Sequence, residues 1–301
     1  MRGRTLHRLT APDGTQIAWH AHEPKTATPE LPAIVLTNGI GTTENFWRHL
    51  LDELTIDRRV AHWDYRAHGS SQLSASGDYS LDTQAADLAR VTSAVMEKTQ
   101  SPAPIQIAFS MGVAVLLEMY RRRPELARAM VLIGGSPDAP DVGAALLRLK
   151  GTTPILRRVV EALTPMAPVV APAFRAAVRT RLLYGAGRAL GVLQPVAPRA
   201  EIELFLSAIA AMDPSAYLRT LTGLMRAHGS DLVASIEVPV LIVAAQKDML
   251  MPLSQMHALR DAMPKAKYVE IPDAGHAGML EAGEKIASEI RAFLSETADA
   301  R

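Results

Sequence analysis

The sequence predicts an α/β fold in which eight strands form a mostly parallel sheet, with helices on both faces and an all-helical insertion. Short apolar runs rich in β-branched residues alternate with longer segments of helical periodicity, a rhythm typical of parallel sheets. The rhythm stops between residues 137 and 235, where prolines separate helical stretches, and it resumes at 238–243. We therefore expect one α/β core, 1–136 with 236–301, and a helical cap, or lid, at 137–235.

The first half of the chain carries most of the predicted sheet. Two alternating runs, 4–10 and 15–21, flank the turn signal Pro12-Asp13-Gly14 and predict a hairpin. Buried strands are then predicted from apolar composition at 33–37, 59–63, 105–109 and 129–134. Helices between them are predicted from apolar stripes beginning near residue 43, at 81–98 and at 111–123.

The second half contains the insertion and the last two strands. Within the insertion, the clearest helical periodicity lies at 201–212 and around 218–225. The cap arginines Arg157, Arg158, Arg179 and Arg181 are expected to form a solvated face. After the insertion we predict a strand at 238–243, a helix at 253–263, a strand at 267–271 and a closing helix at 279–295.

Composition limits the possible functions. The chain has 301 residues, of which 48% are hydrophobic, so a large core is expected. The formal charge of +1 gives no reason to expect nucleic acid or an anionic membrane as a partner. There are no cysteines, which excludes disulfides, thiol catalysis and cysteine-ligated metal. We expect no cofactor, no metal, no stable membrane insertion and a cytoplasmic location; the choice between monomer and homodimer is left open.

The stretch 104–124, PIQIAFSMGVAVLLEMYRRRP, predicts a nucleophile. A buried strand ends at Phe109 and a helix begins at Met111, so Ser110 lies on a sharp turn between them. The small residues Ala108 and Gly112, two positions away on each side, allow the chain to bend tightly. A serine on such a turn projects its hydroxyl above the edge of the sheet, where it can attack a carbonyl.

A serine nucleophile needs a base and an orienting carboxylate, and both gather at the carboxyl ends of parallel strands. Asp248 follows the strand at 238–244, and His276 follows the strand at 267–271. The order Ser110, Asp248, His276 is the order expected for this fold. His68 is the rival base, Asp138 or Asp141 the rival acid, and Asp273 is interpreted as a turn-former.

An oxyanion formed by attack on a carbonyl requires donors that are already in place. We predict them to be the backbone N–H groups of Met111 and of Ile40, because glycines on both sides of Ile40 let that loop approach the substrate. Asp64, Arg66 and Gly69 in D-Y-R-A-H-G-S-S are expected to brace loops. The predicted substrate pocket consists of Trp47, Phe205, Leu206, Met249 and Met279.

Five motifs together resemble the α/β-hydrolase superfamily, in particular its serine-nucleophile, esterase-like branch with a helical cap. They are the N-G-I-G loop, D-Y-R-A-H-G-S-S, A-F-S-M-G, V-P-V-L-I-V with the later Asp and Pro, and D-A-G-H. The resemblance implies a Ser110–His276–Asp248 triad. The sequence departs from the family pattern at Asn38, where a histidine is usual, and at Ala108 and Val113, where glycines are common.

Ser110, at the sharp turn between strand and helix (the nucleophile elbow), argues against the dehalogenase and epoxide-hydrolase branches of the family, because those enzymes attack through a carboxylate. The resemblance favours an enzyme that cleaves small-molecule carboxylic esters with apolar or small acyl and alcohol parts. A lactonase or a C–C bond hydrolase on the same triad is the alternative. A second, non-enzymatic hypothesis is a ligand-binding protein with the same fold. An intact triad counts against this hypothesis.

Overall fold

A single eight-stranded sheet organises the chain. The computed structural model describes residues 3–26, 31–140, 151–180, 182–189 and 192–299. The strand order is β1-β2-β4-β3-β5-β6-β7-β8. The strands are β1 (Arg4–Thr10), β2 (Gln16–His22), β3 (Ile34–Thr37), β4 (Val60–Trp63), β5 (Ile105–Phe109), β6 (Ala129–Ile133), β7 (Val240–Ala245) and β8 (Lys267–Ile271).

The hairpin is the antiparallel part of the sheet. β1 pairs antiparallel with β2, and β2 pairs antiparallel with β4. All later pairs, from β4–β3 to β7–β8, are parallel. The predicted mostly parallel sheet of eight strands is therefore confirmed. The carboxyl ends of β3, β5, β6, β7 and β8 meet at one edge, which brings the loops after them together.

Helices cover both faces of the sheet. Those of the core are α1 (Arg48–Leu54), α2 (Leu81–Thr99) and α3 (Met111–Arg122). The insertion contributes α4 (Thr153–Leu163), α5 (Ala167–Arg179), α6 (Leu182–Ala189), α7 (Arg199–Ala211), α8 (Pro214–Leu224) and α9 (Ser230–Val233). The chain closes with α10 (Leu253–Ala262), α11 (Gly278–Glu281) and α12 (Gly283–Asp299). Short 3-10 helices lie at Glu44–Trp47, Pro124–Leu126 and Thr164–Met166.

Two apolar cores result, one on each face of the sheet. One is formed with α2, α3 and α10, and includes Leu88, Leu116 and Met256. The other is formed with α1 and α12, and includes Leu50 and Ile290. The central strands are buried on both faces, which explains why apolar residues dominate β3, β5 and β6 without alternation, with Thr37 and Gln106 as the buried polar members.

Two predicted boundaries differ from the structure for local reasons. The strand expected from residue 238 begins at Val240, after Pro239, which has no N–H to donate to a ladder. The single closing helix expected at 279–295 is two helices, because the backbone leaves helical geometry at Ala282, where φ is −143°.

The connection between β6 and β7 consists of helices and loops, without a strand, in the part that the structure describes. Its predicted limits, 137–235, stay a prediction, and residues 141–150 lie outside the described residues. This insertion contacts the core at Gly41, where an added Cβ would lie 2.8 Å from Ile209 and 3.3 Å from Tyr217. The insertion therefore lies directly over the loop that follows β3. Within the described ranges, no helix is both long enough and apolar enough to cross a bilayer.

Candidate active site

Ser110 occupies a strained turn between β5 and α3. Its φ of +54° and ψ of −119° lie outside the regions that L-residues favour. The backbone is held there by a hydrogen bond from the Ser110 N–H to the Ile133 carbonyl, 2.9 Å long. Gly112 makes the turn possible, because a Cβ at that position would lie 2.6 Å from the Thr37 carbonyl oxygen. Ala108, which replaces a common glycine, is fully buried in β5.

His276 lies directly beside the serine. Its Nε2 is 3.0 Å from the Ser110 Oγ, which is hydrogen-bonding distance. The imidazole follows β8 in the loop from Ala274 to Gly278, and its side chain is 18% exposed. One edge of the ring is thus open to a reacting group while the rest is packed, in part against Phe109, whose ring centroid is 5.3 Å away.

Asp248 orients the other edge of the imidazole. The His276 Nδ1 is 2.8 Å from Asp248 Oδ2, and the carboxylate is 2% exposed. Its other oxygen, Oδ1, accepts hydrogen bonds from the N–H groups of Leu250 and Met251 at 2.9 and 2.8 Å. Because all of these bonds require an acceptor, the position suits an ionised carboxylate. The structure brings Ser110, His276 and Asp248 into one continuous chain of hydrogen bonds.

The two predicted oxyanion donors flank Ser110. Among the described residues, no acceptor takes the N–H of Ile40 or of Met111. Gly39 lets the β3 loop run against the nucleophile, since a Cβ there would lie 3.2 Å from the Ser110 Cβ. Two free backbone donors beside a nucleophile are the arrangement that stabilises a tetrahedral oxyanion. Their role stays a prediction.

Asn38 replaces the histidine usual in the family and is a structural residue here. It is fully buried, and its Nδ2 donates to the Trp63 carbonyl at 2.6 Å. Its Oδ1 accepts from Trp47 Nε1 at 2.5 Å, and its carbonyl accepts from the Tyr65 hydroxyl at 2.6 Å. Three bonds, to β4, to the loop after it and to the 3-10 helix at Glu44–Trp47, fix the start of the loop that carries Ile40.

The rival acids and the rival base have other partners. Asp138 accepts from the N–H groups of Gly229 and Ser230 at the start of α9, at 2.9 and 3.1 Å. Asp141 lies outside the described residues. His68 is buried, and its Nδ1 bonds the Arg66 carbonyl at 3.0 Å. Asp273 adopts a φ of +59° on a turn and pairs with Lys247, as expected of a turn-former.

The expected brace at Arg66 is confirmed. Its guanidinium donates to Asp87 at 2.7 and 3.2 Å, to Asp13 at 2.6 Å and to the Ser74 hydroxyl at 3.0 Å. Asp64 accepts from the Ser70 N–H at 2.8 Å. These bonds connect the loop after β4 to the β1–β2 turn and to α2.

The predicted pocket residues divide into two groups. Trp47 is fully buried and bonded to Asn38, so the structure corrects this prediction and places it in the core. Phe205 and Leu206 on α7 pack against the core, and Phe205 meets the Phe46 ring edge-on at 5.0 Å. Met249 is partly exposed next to Asp248. Met279 is buried beside His276, against a cavity of about 10 Å³.

A larger cavity, of about 230 Å³, lies in the insertion between α5, α7 and α8. Apolar side chains dominate its walls, including Phe174, Ile209 and Leu218, with Tyr217 and Arg175 as polar members. Ile209 and Tyr217 also contact Gly41, next to Ile40. Two side chains of the cavity wall therefore reach the loop of the predicted oxyanion donor, and one of them, Ile209, lies one helical turn after the predicted Phe205.

Glu281, which the sequence did not single out, joins the insertion to the loop that carries His276. Its Oε1 accepts from the Gln194 N–H at 2.9 Å, and its Oε2 accepts from the Gly275 N–H at 2.6 Å. Gly275 precedes His276, so this carboxylate fixes the backbone that carries the imidazole. The only sequence signal was an acidic residue five positions after His276.

One group of described side chains has the chemistry of metal ligands, namely His20, Glu44 and His62. However, Arg4 donates to His20 Nδ1 at 2.9 Å and to Glu44 at 3.0 Å. The two imidazoles are stacked 4.4 Å apart and within 9° of parallel. Ligand nitrogens on parallel rings cannot both point at one ion, so this arrangement suits the guanidinium better than a metal.

Named proteins are similar to this chain over most of its length. A protein from Klebsiella pneumoniae (strain 342) named "Putative carbamate hydrolase RutD" is 26% identical over 261 residues, which cover 83% of this chain and 86% of that protein. A protein of the same name from Pseudomonas syringae pv. syringae (strain B728a) is 26% identical over 268 residues, 88% of this chain and 95% of that one.

Solved structures share the fold. An esterase from Exiguobacterium antarcticum superposes with a TM-score of 0.75 at 18% identity, covering 96% of this chain and 98% of that one. The enol-lactonase from Burkholderia xenovorans LB400 superposes with a TM-score of 0.69 at 18% identity, covering 96% and 100%. The model of the alpha/beta hydrolase fold family matches residues 32–283. With the sheet order and the serine elbow described above, this match shows that the chain belongs to the alpha/beta hydrolase family.

Proposed function

We propose that this hydrolase cleaves carboxylic esters through an acyl-enzyme formed on Ser110. The observation that carries the proposal is the chain of hydrogen bonds from Ser110 Oγ to His276 Nε2, 3.0 Å, and from His276 Nδ1 to Asp248, 2.8 Å. A buried carboxylate that accepts from Nδ1–H fixes the tautomer in which Nε2 is a proton acceptor. Nε2 can then accept the proton of the Ser110 hydroxyl as Oγ attacks.

The proposed reaction has two halves. Nε2 takes the Ser110 proton while Oγ attacks the ester carbonyl, and the N–H groups of Ile40 and Met111 bind the oxyanion. The intermediate collapses as His276 gives its proton to the departing alcohol oxygen, which leaves the acyl group on Oγ. Water then repeats the sequence, with His276 as base and afterwards as acid, and releases the carboxylic acid.

The cavity in the insertion supports a substrate with an apolar part. At about 230 Å³, with mostly apolar walls, it is suited to an alkyl or aryl group rather than to a small polar molecule. Two side chains of its wall, Ile209 and Tyr217, also contact Gly41, the residue after the proposed oxyanion donor Ile40, which supports this assignment. We therefore assign it to the acyl or alcohol part of the ester.

Carbamate hydrolysis is a second candidate, because the RutD relatives carry that activity in their name at 26% identity. The enol-lactonase neighbour supports only the fold, and a lactone or a C–C bond substrate remains an alternative for the same triad. The apolar cavity favours the ester, since a small carbamate would leave its walls unused.

The test is a substrate panel of p-nitrophenyl esters from acetate to decanoate, with alkyl carbamates and γ- and δ-lactones. We expect the highest kcat/KM on an ester, and an intact-mass adduct with a fluorophosphonate probe that is lost in Ser110→Ala. An adduct that persists in Ser110→Ala would reject the nucleophile. Preferred turnover of a carbamate or lactone would reject the ester assignment while leaving the triad in place.

A matched pair of variants tests the cavity. Ala171 lines it and is buried, whereas Ala173 on the same helix is exposed and does not line it. Ala171→Leu should lower kcat/KM for long esters relative to acetate by about 10-fold or more, because each lost methylene of fit is worth about 1–3 kcal/mol. Ala173→Leu should keep the chain-length profile. If both variants show the same dependence of kcat/KM on ester chain length, the cavity is not the substrate pocket, and the pocket must be assigned to the loops at 38–47 and 64–80.

A further inference from the structure

The helices α4 and α5 present an apolar stripe to solvent. Large apolar side chains between residues 155 and 170 are 46% to 68% exposed. Three of them lie on α4 at intervals of four residues, which places them on one face of the helix. The stripe continues through the 3-10 helix into α5. Its members are Ile155, Val159, Leu163, Met166 and Val169, while the neighbouring Val170 lines the cavity between α5, α7 and α8. Exposed apolar patches of this extent mark interaction surfaces.

The segment that carries the stripe is strongly cationic. Residues 151–189 contain six arginines, one glutamate and no aspartate or lysine, which is +6 − 1 = +5, although the whole chain carries only +1. The single acid, Glu161, is already paired with Arg226 at 2.7 Å and with Arg157 at 3.4 Å. Arg158 and Arg188 are exposed and have no ion pair within the described part of the chain. The small net charge of the whole chain therefore includes a strongly basic segment in the cap.

We propose that this face of the cap docks on an anionic lipid surface. Basic amphipathic helices with an exposed apolar stripe lie in the headgroup region, with the apolar side chains inserted and the arginines on the lipid phosphates. Arg158 follows Ile155 by three residues, so cation and apolar side chain are neighbours on the α4 surface. The expectation of a merely solvated arginine face, drawn from the sequence, did not include the apolar stripe beside it.

Charge also argues against a second copy of the chain as the occupant. A two-fold dimer pairs the same patch on both subunits. It would bring two segments of net charge +5 together with one paired acid on each side. An anionic bilayer supplies the opposite charge and the apolar phase together. This proposal concerns binding alone and does not depend on which bond the enzyme cleaves.

The test is co-sedimentation of the full chain with vesicles of phosphatidylglycerol and phosphatidylcholine, 1:1, and of phosphatidylcholine alone. We expect binding to the mixed vesicles that weakens at 0.5 M NaCl. Arg158→Gln with Arg188→Gln should weaken it about 25-fold, at about fivefold for each arginine. Ile155→Ser with Val169→Ser should weaken it about tenfold or more. All four side chains are partly or fully on the surface, so the fold is expected to survive.

Matched controls lie on the core. Arg8→Gln with Lys98→Gln removes two exposed positive charges away from the cap, and Leu73→Ser removes an exposed apolar side chain from a core loop. Both should bind as the wild type does. The proposal is overturned by no binding to the mixed vesicles, by equal binding to phosphatidylcholine alone, or by unchanged binding of the cap variants. It is also overturned if sedimentation equilibrium shows a stable dimer that Ile155→Ser with Val169→Ser dissociates.

Discussion

Asp248→Asn tests the proposed mechanism most directly. In the wild type, Asp248 Oδ2 accepts the Nδ1–H of His276, and Oδ1 accepts from the Leu250 and Met251 N–H groups. In the variant, the amide oxygen keeps the two backbone donors and the NH₂ group faces Nδ1. Nδ1 must then accept, so the ring proton moves to Nε2, which can no longer take the Ser110 proton.

The expected loss follows from that tautomer. In a serine protease with the same triad, the equivalent change lowers kcat about 10⁴-fold, and we expect a similar factor here. This corresponds to about 5 kcal/mol of transition-state stabilisation. The assay is steady-state hydrolysis of the best p-nitrophenyl ester, with thermal unfolding as the check on folding.

Asp273→Asn is the matched control, since Asp273 is exposed on the turn two residues before Gly275 and should keep wild-type kcat. A folded Asp248→Asn enzyme that retains more than a tenth of wild-type kcat would refute the reasoning. If Asp138→Asn or Asp141→Asn is the crippling change instead, the acid has been assigned to the wrong loop.

Three further predictions concern Glu281, Gly112 and His22. Glu281→Ala should lower kcat by up to about 100-fold with little change in KM, because the loop before His276 loses its support. This effect should vanish in a His276→Ala background and be absent in the exposed control Glu284→Ala; a loss that persists without the imidazole would point to general destabilisation. Gly112→Ala should destabilise the fold by about 1–3 kcal/mol in urea unfolding, because its Cβ would meet the β3 backbone, and an unchanged midpoint would contradict that packing. Burial and the nearby arginine and histidine charges lower the pKa of His22 to about 4, so the folded state binds fewer protons than the unfolded state between pH 6.5 and 4. Stability should therefore fall by about 1–3 kcal/mol over that interval and fall less in His22→Gln, whereas a stability that rises on acidification would contradict the lowered pKa.

Much of the site was predictable because its residues are tied to local chain geometry. Ser110 lies between an apolar strand and an amphipathic helix, and both signals are contained in about twenty consecutive residues. Asp248 and His276 follow two further strands, and parallel strands place such residues at one edge of the sheet. Their assignment as acid and base nevertheless left Asp138, Asp141 and His68 as rivals, because sequence order does not give distances.

Pocket residues are harder to predict from the sequence, for a physical reason. Helical periodicity identifies which face of α7 is apolar, but an apolar face packs equally well against a core or against a cavity. Phe205 meets Phe46 at the core, while Ile209, one turn later, lines the cavity and touches Gly41. Trp47, also predicted in the pocket, is buried in the core, and its indole N–H donates to Asn38.

The sequence by itself determined the parallel sheet and the turn that carries Ser110, because both depend on apolar periodicity and small residues within short segments. Only the tertiary structure decided which contacts join distant segments. It placed Glu281 between Gln194 and Gly275, and it brought two side chains of the cavity wall, Ile209 and Tyr217, against Gly41. It also showed that the apolar stripe of α4 and α5 faces solvent rather than the core. These features depend on how separate elements pack, and local sequence patterns leave that packing undetermined.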